Sequence, residues 1–327
     1  MFGRRTRLKR VAGIAAAVVL SGLLAGAPAQ AAAGAPTAQG GGGISLAGRD
    51  WKNVAHMVSA NFSADSFGER PDLFVVWKDG SASLFEGGGP SAAAPFVAEH
   101  KIAEAGSVWQ YARAITGGVV THVGKSGFGS TGLVVRWSDG ELTEYQQLDH
   151  KGVHGEKTLA PGGGDNPVFK KARLMTLGGF VDESSDLNND LLVLWEDGST
   201  SLYPYIDYQG LSGRIQLTQA NDAWKNAAQI SSGRFSGKKT DDLLIRWKDG
   251  DTSLFPGVDD KGFHGRVRIQ PTGSSWKSAQ ALVTGLYGSS MTDRYNNDIL
   301  VNWPDGRLVL YPRVDDKGIH GEVQLAG

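Results

Sequence analysis

Short, almost unbroken apolar runs recur five times along this chain. Each ends in a tryptophan and an Asp-Gly pair: "DLFVVWKDG", "GLVVRWSDG", "DLLVLWEDG", "DLLIRWKDG" and "DILVNWPDG". An apolar run of this length bounded by turn residues predicts a strand buried on both faces. Asp-Gly between β-rich runs is a strong hairpin signal, because glycine tolerates the positive φ of a tight turn. The residues after the turn alternate polar and apolar ("TSLFP", "TSLYP", "LVLYP"), which predicts a return strand. A further strand ("GRIQL", "GRVRIQ", "GEVQL") closes the unit. "WKNAAQI" or "WKSAQAL" opens the next, and its β context favours a strand over a helix.

The run-ending residues Trp77, Trp137, Trp195, Trp247 and Trp303 stand 60, 58, 52 and 56 positions apart. The other four tryptophans, Trp51, Trp109, Trp224 and Trp276, open their units, and Phe169 fills that slot in the third copy. Self-similarity at this period marks a tandem repeat. The prediction is an all-β chain forming a five-bladed β-propeller of four-stranded blades, at about 51–108, 109–168, 169–223, 224–275 and 276–327. Closure into a ring removes the exposed sheet edges that an open solenoid, the alternative, would leave. "ISLAG" at 44–48 reads like "VQLAG" at 323–327, so one of these ends is expected to complete a sheet shared by the first and last blades.

Arg4, Arg5, Arg7, Lys9 and Arg10 precede the apolar run "VAGIAAAVVLSGLLAGA" and a small-residue zone near Ala31 and Ala33. This predicts a secretory signal peptide over residues 1–33, with an extracellular mature protein. The run is too short and too rich in small residues for a spanning helix, so no membrane insertion is expected. Residues 34–43 read as a Gly-rich flexible linker, and 44–327 as the propeller. Removing the five leader cations from 33 leaves 28 basic against 34 acidic residues, a net charge of −6 that argues against a nucleic-acid surface. With no cysteine, the exported fold relies on its core.

The most distinctive polar element is the loop after the return strand, Asp-x-Lys-Gly-x-His-Gly. It supplies Asp149, Lys151 and His154; Asp259, Lys261 and His264; and Asp315, Lys317 and His320. Copy three degrades it to "DYQGLSG", with Asp207 and Ser212, and copy one replaces it with "GGGPSAAAP". An acceptor, a cation and an imidazole beside aromatic rings suit sugar hydroxyls and ring faces, and repetition around a ring gives avidity. The competing reading is that His and Asp fix the loop's own backbone. The run-ending tryptophans are expected to wedge between blades. The blade-opening Trp51, Trp224 and Trp276, flanked by polar residues, are candidates for ligand stacking, with packing the equal alternative. No zinc-type ligand cluster occurs, and neither a metal nor a cofactor is expected.

"GRFSGKKTDDLLIRWKDGDTSLFPG" resembles the FG-GAP/VCBS class of bacterial propeller repeat, with "GGF" ending at Phe180, Gly233-Arg-Phe235 and Asn61-Phe62 matching the opening. The class implies a calcium loop, but "SGKKTDD", "SADSFGERPD" and "GSSMTDRYNND" lack its alternating oxygen ligands; Asp186, Asn188 and Asp190 are the nearest remnant. The count of five units resembles tachylectin-2-type lectins, which implies sugar pockets between adjacent blades.

These readings point to a secreted, non-catalytic, lectin-like propeller binding cell-surface or environmental glycans multivalently, including as the targeting subunit of a larger secreted assembly. The alternative is a protein-interaction or inhibitor scaffold. A glycan-cleaving enzyme needs two carboxylates facing one bond. The candidates Glu69, Asp72, Glu183 and Asp186 show no partner pattern, so no catalytic residue is assigned.

Overall fold

The computed structural model describes residues 42–63, 70–122, 129–165, 167–181, 190–207, 210–288 and 297–327. The expected signal peptide and nearly all of the linker lie outside these residues. Five four-stranded antiparallel sheets follow one another, each built from a single repeat. Blade 1 holds β1 (Val54–Ala60), β2 (Asp72–Trp77), β3 (Ala82–Glu86) and β4 (Ala98–Ala103). Blade 2 holds β5 (Ala112–His122), β6 (Gly129–Trp137), β7 (Leu142–Asp149) and β8 (Gly152–Ala160). Blade 3 holds β9 (Ala172–Gly178), β10 (Asp190–Trp195), β11 (Thr200–Tyr203) and β14 (Ile215–Thr218), with a small ribbon of β12 (Ile206–Asp207) and β13 (Gly210–Leu211) between the last two. Blade 4 comprises β15 (Ala227–Gly233), β16 (Asp242–Trp247), β17 (Thr252–Phe255) and β18 (Val267–Gln270). Blade 5 comprises β19 (Ala281–Gly285), β20 (Asn297–Asn302), β21 (Leu308–Val314) and β22 (Val323–Ala326).

The first strands β1, β5, β9, β15 and β19 contact one another in a closed cycle, so the sheets form a five-bladed propeller with these strands innermost. Five hydrophobic clusters occupy the five seams, and one joins Leu73, Val75 and Phe85 of blade 1 to Leu300, Leu308 and Leu310 of blade 5. The second strand alternates between seams. Leu73 and Val75 face blade 5, while Phe74 and Val76 face blade 2, which is why these runs are apolar at nearly every position.

The ring closes without a shared sheet, correcting the expectation drawn from "ISLAG" and "VQLAG". β22 is the outer strand of blade 5 alone. Residues 44–48 stay outside the sheets: Ile44 N–H donates to Phe96 O at 2.8 Å, and Leu46 enters the seam and accepts the Trp51 indole N–H at 3.0 Å. The blade-opening segment also differs from a plain strand. Trp51–Asn53, Val108–Tyr111, Val168–Lys171, Trp224–Asn226 and Ser275–Ser278 each form one 3₁₀ turn before or near the inner strand.

Antiparallel topology sends the two ends of each blade to opposite faces. One face carries the Asp-Gly hairpins and the 3₁₀ turns. The other carries the loops joining third to fourth strands.

Candidate functional site

The third-to-fourth-strand loops of blades 2, 4 and 5 share one construction. In blades 4 and 5 the loop is pinched by paired backbone bonds between Asp259 and Gly262 (3.1 and 3.2 Å) and between Asp315 and Gly318 (3.2 Å each). In blade 2 Asp149 pairs with Gly152 at the end of the β7–β8 ladder. These glycines have φ of +129°, +121° and +124°, which favours glycine there. Within each loop one carboxylate oxygen serves two donors. Asp149 Oδ1 takes Lys151 N–H at 2.7 Å and lies 3.0 Å from His154 Nε2. Asp259 Oδ1 takes Lys261 N–H at 2.8 Å, with His264 Nε2 at 2.8 Å. Asp315 Oδ1 repeats both contacts, to Lys317 N–H and His320 Nε2, at 2.8 Å.

Burial alone would push these three carboxyls up. The hydrogen bonds from the imidazole and the lysine N–H, together with the histidine's charge, outweigh it and hold each below the ordinary carboxylate value. The arrangement is therefore a turn internally fastened by its aspartate, as the backbone-fixing reading requires. What it presents outward is three imidazoles 40–45 % exposed, the second carboxylate oxygen, and a lysine whose backbone, not its ammonium, the aspartate holds.

Blades 1 and 3 fasten the same loop differently. Ser212 donates to Pro204 O and Tyr205 O in blade 3. In blade 1 Arg70 donates to Gly89 O and, at 2.6 Å, to Tyr287 O of blade 5. The Asp207 side chain lies outside the described residues.

The tryptophans are placed away from solvent. Trp51, Trp109, Phe169, Trp224 and Trp276 are only 1–9 % exposed, so the partial exposure that polar flanks implied for Trp51, Trp224 and Trp276 is corrected. Each packs on the run-ending tryptophan of its own blade, with ring centres 5.4–6.3 Å apart, and on the aromatic residue of the third strand, at 5.2–5.9 Å. The polar flanks belong to the exposed 3₁₀ turn, while the indole itself points into the seam. Phe263 of the blade 4 loop lies 4.8 Å from Trp224, and Ile319 of the blade 5 loop packs on the cluster containing Trp276. Trp224 thus packs directly on the blade 4 loop, and the blade 5 loop is anchored to the seam cluster that Trp276 shares. Trp137, Trp195 and Trp303 are buried, and Trp77 and Trp247 half-buried, as seam wedges.

A set of residues that sequence reasoning did not single out as a group holds the same face together. Asp72, Asp190, Asp242 and Asp298 stand first or second in the second strands, are buried, and accept backbone N–H bonds from two neighbouring loops. The signal was present, since an aspartate opens four of the five apolar runs. Asp72 takes Phe62 N–H at 2.8 Å, Ser63 N–H at 2.7 Å, the Ser63 hydroxyl at 2.8 Å and Gly87 N–H at 2.7 Å, a structural role that leaves it no part in glycoside cleavage. Asp190, the calcium-loop remnant, is used likewise by Phe180, Val181 and Tyr205. Glu69, Glu183, Asp186 and Asn188 lie outside the described residues, and among the described residues no three His, Asp or Glu side chains are arranged to ligate one metal ion together.

No protein-family profile matches the chain, and no curated protein matches it. Similar solved structures include the BP39L lectin from Burkholderia pseudomallei, at 15% identity over 84% of this chain and 71% of that one, with a TM-score of 0.47. AofleA from Arthrobotrys oligospora is 11% identical over 84% of this chain and 90% of its own, with a TM-score of 0.46. BBS1N in complex with ARL6DN is 12% identical over 85% and 83%, with a TM-score of 0.43. Overlaps this loose, to proteins of such different description, carry no argument about function.

Proposed function

We propose that this chain is a non-catalytic, lectin-like propeller that binds glycans at the polar loops of blades 2, 4 and 5. The observation that carries the reading is the threefold reconstruction of one loop, with the same aspartate-centred bonds and the same imidazole exposure, on one face of the ring. An enzyme with one active centre has no use for three equivalent copies. A carboxylate oxygen, an imidazole and an ammonium on a preorganised turn offer acceptors and donors to vicinal hydroxyls. Each such shallow contact is weak, and engagement of several at once supplies the affinity. Exposed loop side chains, Asp149, Lys151, His154, Asp259, Lys261, His264, Asp315, Lys317 and His320, are the contacts in this reading; the buried Trp51, Trp224 and Trp276 make no ligand contact in it. In this reading the basic and apolar leader directs export, and the mature protein acts outside the cell, free or as the targeting subunit of a secreted assembly.

Glycan-array binding of the mature protein tests this. Selective signals are expected, with each single change His154→Ala, His264→Ala or His320→Ala weakening apparent affinity roughly tenfold and the triple change abolishing it. A blank array, or a triple variant that binds like the parent, overturns the reading.

One observation favours the second reading, a protein-interaction scaffold. Val108, Tyr111 and Val168 are 52–60 % exposed on the 3₁₀ turns of blades 2 and 3, on the face opposite the polar loops. A blank array with a stable co-purifying protein, lost on Tyr111→Ser and Val168→Ser, would select it.

A further inference from the structure

Glu86, His100 and His150 meet across the seam between blades 1 and 2. His100 lies on β4, and its Nε2 is 2.8 Å from Glu86 Oε2 at the end of β3. His150 follows Asp149 in the blade 2 loop, and its ring centre is 5.7 Å from that of His100. His150 is exposed and His100 half-buried, so the pair is open to solvent.

Both histidines break the pattern of their slots. Strand register puts His100 opposite Leu84, where the other blades carry Lys157, Ile215, Val267 and Val323. His150 stands where blades 4 and 5 carry Asp260 and Asp316. Two departures from the repeat, in different blades, thus bring two imidazoles together at one seam. The separate polar-loop histidines, His154, His264 and His320, do not meet in this way, each being spent on its own aspartate.

We propose that Glu86, His100 and His150 form a site for a divalent transition metal such as Zn²⁺, Ni²⁺ or Cu²⁺, with the two imidazoles as ligands and Glu86 orienting His100. Imidazole nitrogen suits these ions. A metal–nitrogen bond of about 2.0–2.1 Å places the ion about 3.2 Å from each ring centre, so two imidazoles on one tetrahedral ion have centres about 5.2 Å apart. The observed separation of 5.7 Å is close to this. Donation of Nε2–H to Glu86 leaves the lone pair on Nδ1 for the metal, the carboxylate–histidine–metal relay that fixes ring orientation and raises basicity. Asp149 Oδ1 is already committed to His154 and Lys151. Water completes the coordination, giving moderate affinity, and the bound ion clips blade 1 to blade 2.

Calorimetric titration of ZnCl₂ or NiCl₂ alone into the purified chain tests the site. One saturable equivalent of micromolar affinity is expected, with the imidazole NMR signals of His100 and His150 shifting together. His100→Gln retains an N–H donor for Glu86 but removes the ligand, and His150→Gln removes the other. Each should weaken binding at least tenfold while leaving the metal-free melting temperature unchanged. Absence of saturable binding by the parent, shifts confined to other histidines, or undiminished binding by the double variant would overturn the assignment.

Discussion

Asp242 takes the Phe235 and Ser236 N–H groups on Oδ2 at 2.7 Å each, and the Ser236 hydroxyl and Gly257 N–H on Oδ1 at 2.7 and 2.6 Å. Removing such a carboxylate strands several buried donors, each costing about 1–3 kcal/mol. Asp242→Ala should therefore destabilise by about 3 kcal/mol or more in chemical denaturation. Blade 2 shows how the same place is filled otherwise. Gly132 stands there, and a Cβ on it would lie 2.0 Å from Tyr145 O, so the third strand has moved into the space an aspartate would need. His56 is the other residue whose environment decides its chemistry. Burial, with lesser contributions from the Arg113 and Arg136 charges, lowers its pKa to about 4 despite the Ala112 carbonyl nearby. The unfolded chain then takes up this proton near pH 6.5 and the folded one near pH 4. Stability due to His56 is full above about pH 6.5 and declines by on the order of 1–3 kcal/mol as pH falls to about 4. Melting temperature followed from pH 7 to 4 should drop less in His56→Gln than in the parent.

At the scale of the element, each of the five Asp-Gly turns uses a glycine with positive φ, but the glycines are not equivalent. Gly198 (φ +82°) would place a Cβ 1.9 Å from Asn221 O, whereas at Gly306 (φ +93°) the nearest atom is the flexible Lys52 side chain at 3.3 Å. Both alanine changes incur backbone strain of about 1 kcal/mol. Gly198→Ala must in addition displace the connection to the next blade, so its melting temperature should fall several degrees further than that of Gly306→Ala. The polar residues of the third strands also find their explanation here. Thr143 and Ser201 are buried because their hydroxyls accept the Trp137 and Trp195 indole N–H groups at 3.0 and 2.9 Å. Alternation of polar and apolar residues predicted the strand correctly. It did not predict burial of the polar positions, because an indole donor from the neighbouring strand satisfies them.

Across the whole molecule, five self-contained blades close by side-chain packing and by polar staples between neighbours. Gln280 donates to Val54 O at 2.6 Å and Asn302 to Trp51 O at 3.1 Å across the closing seam, as Arg173 does to Trp224 O at 2.8 Å two seams away. Since no sheet spans the closing seam, it is a seam like the others. Residues 46–52 and 326–327 line one cleft there, so the two ends of the ring lie close together. A circular permutant of the propeller that joins residue 327 to residue 42 through a short glycine linker, and opens between Ala220 and Asn221, should fold with a melting temperature within about 5 °C of the parent. Failure of that permutant to fold would show that the closing seam does more than pack.

The repeat, its five copies, the strand-turn-strand order and the wedging of the run-ending tryptophans were all legible in the sequence. Each follows from local rules: apolar runs bury, Asp-Gly turns, and a repeated unit must cover its neighbour. The positions of Trp51, Trp224 and Trp276 were not legible, because one 3₁₀ turn separates an exposed lysine from a buried indole and the flanking residues describe only the turn. Ring closure by packing and the meeting of His100 with His150 depend on contacts between blades distant along the chain, whereas the bonds that hold Asp149, Asp259 and Asp315 inside their loops are local, made with residues two and five positions on, and were one of the two readings the sequence offered. Periodicity carries the geometry of one unit. Only the angle at which units pack determines which side chains of different units come within hydrogen-bonding reach, and that is a property of the assembled ring.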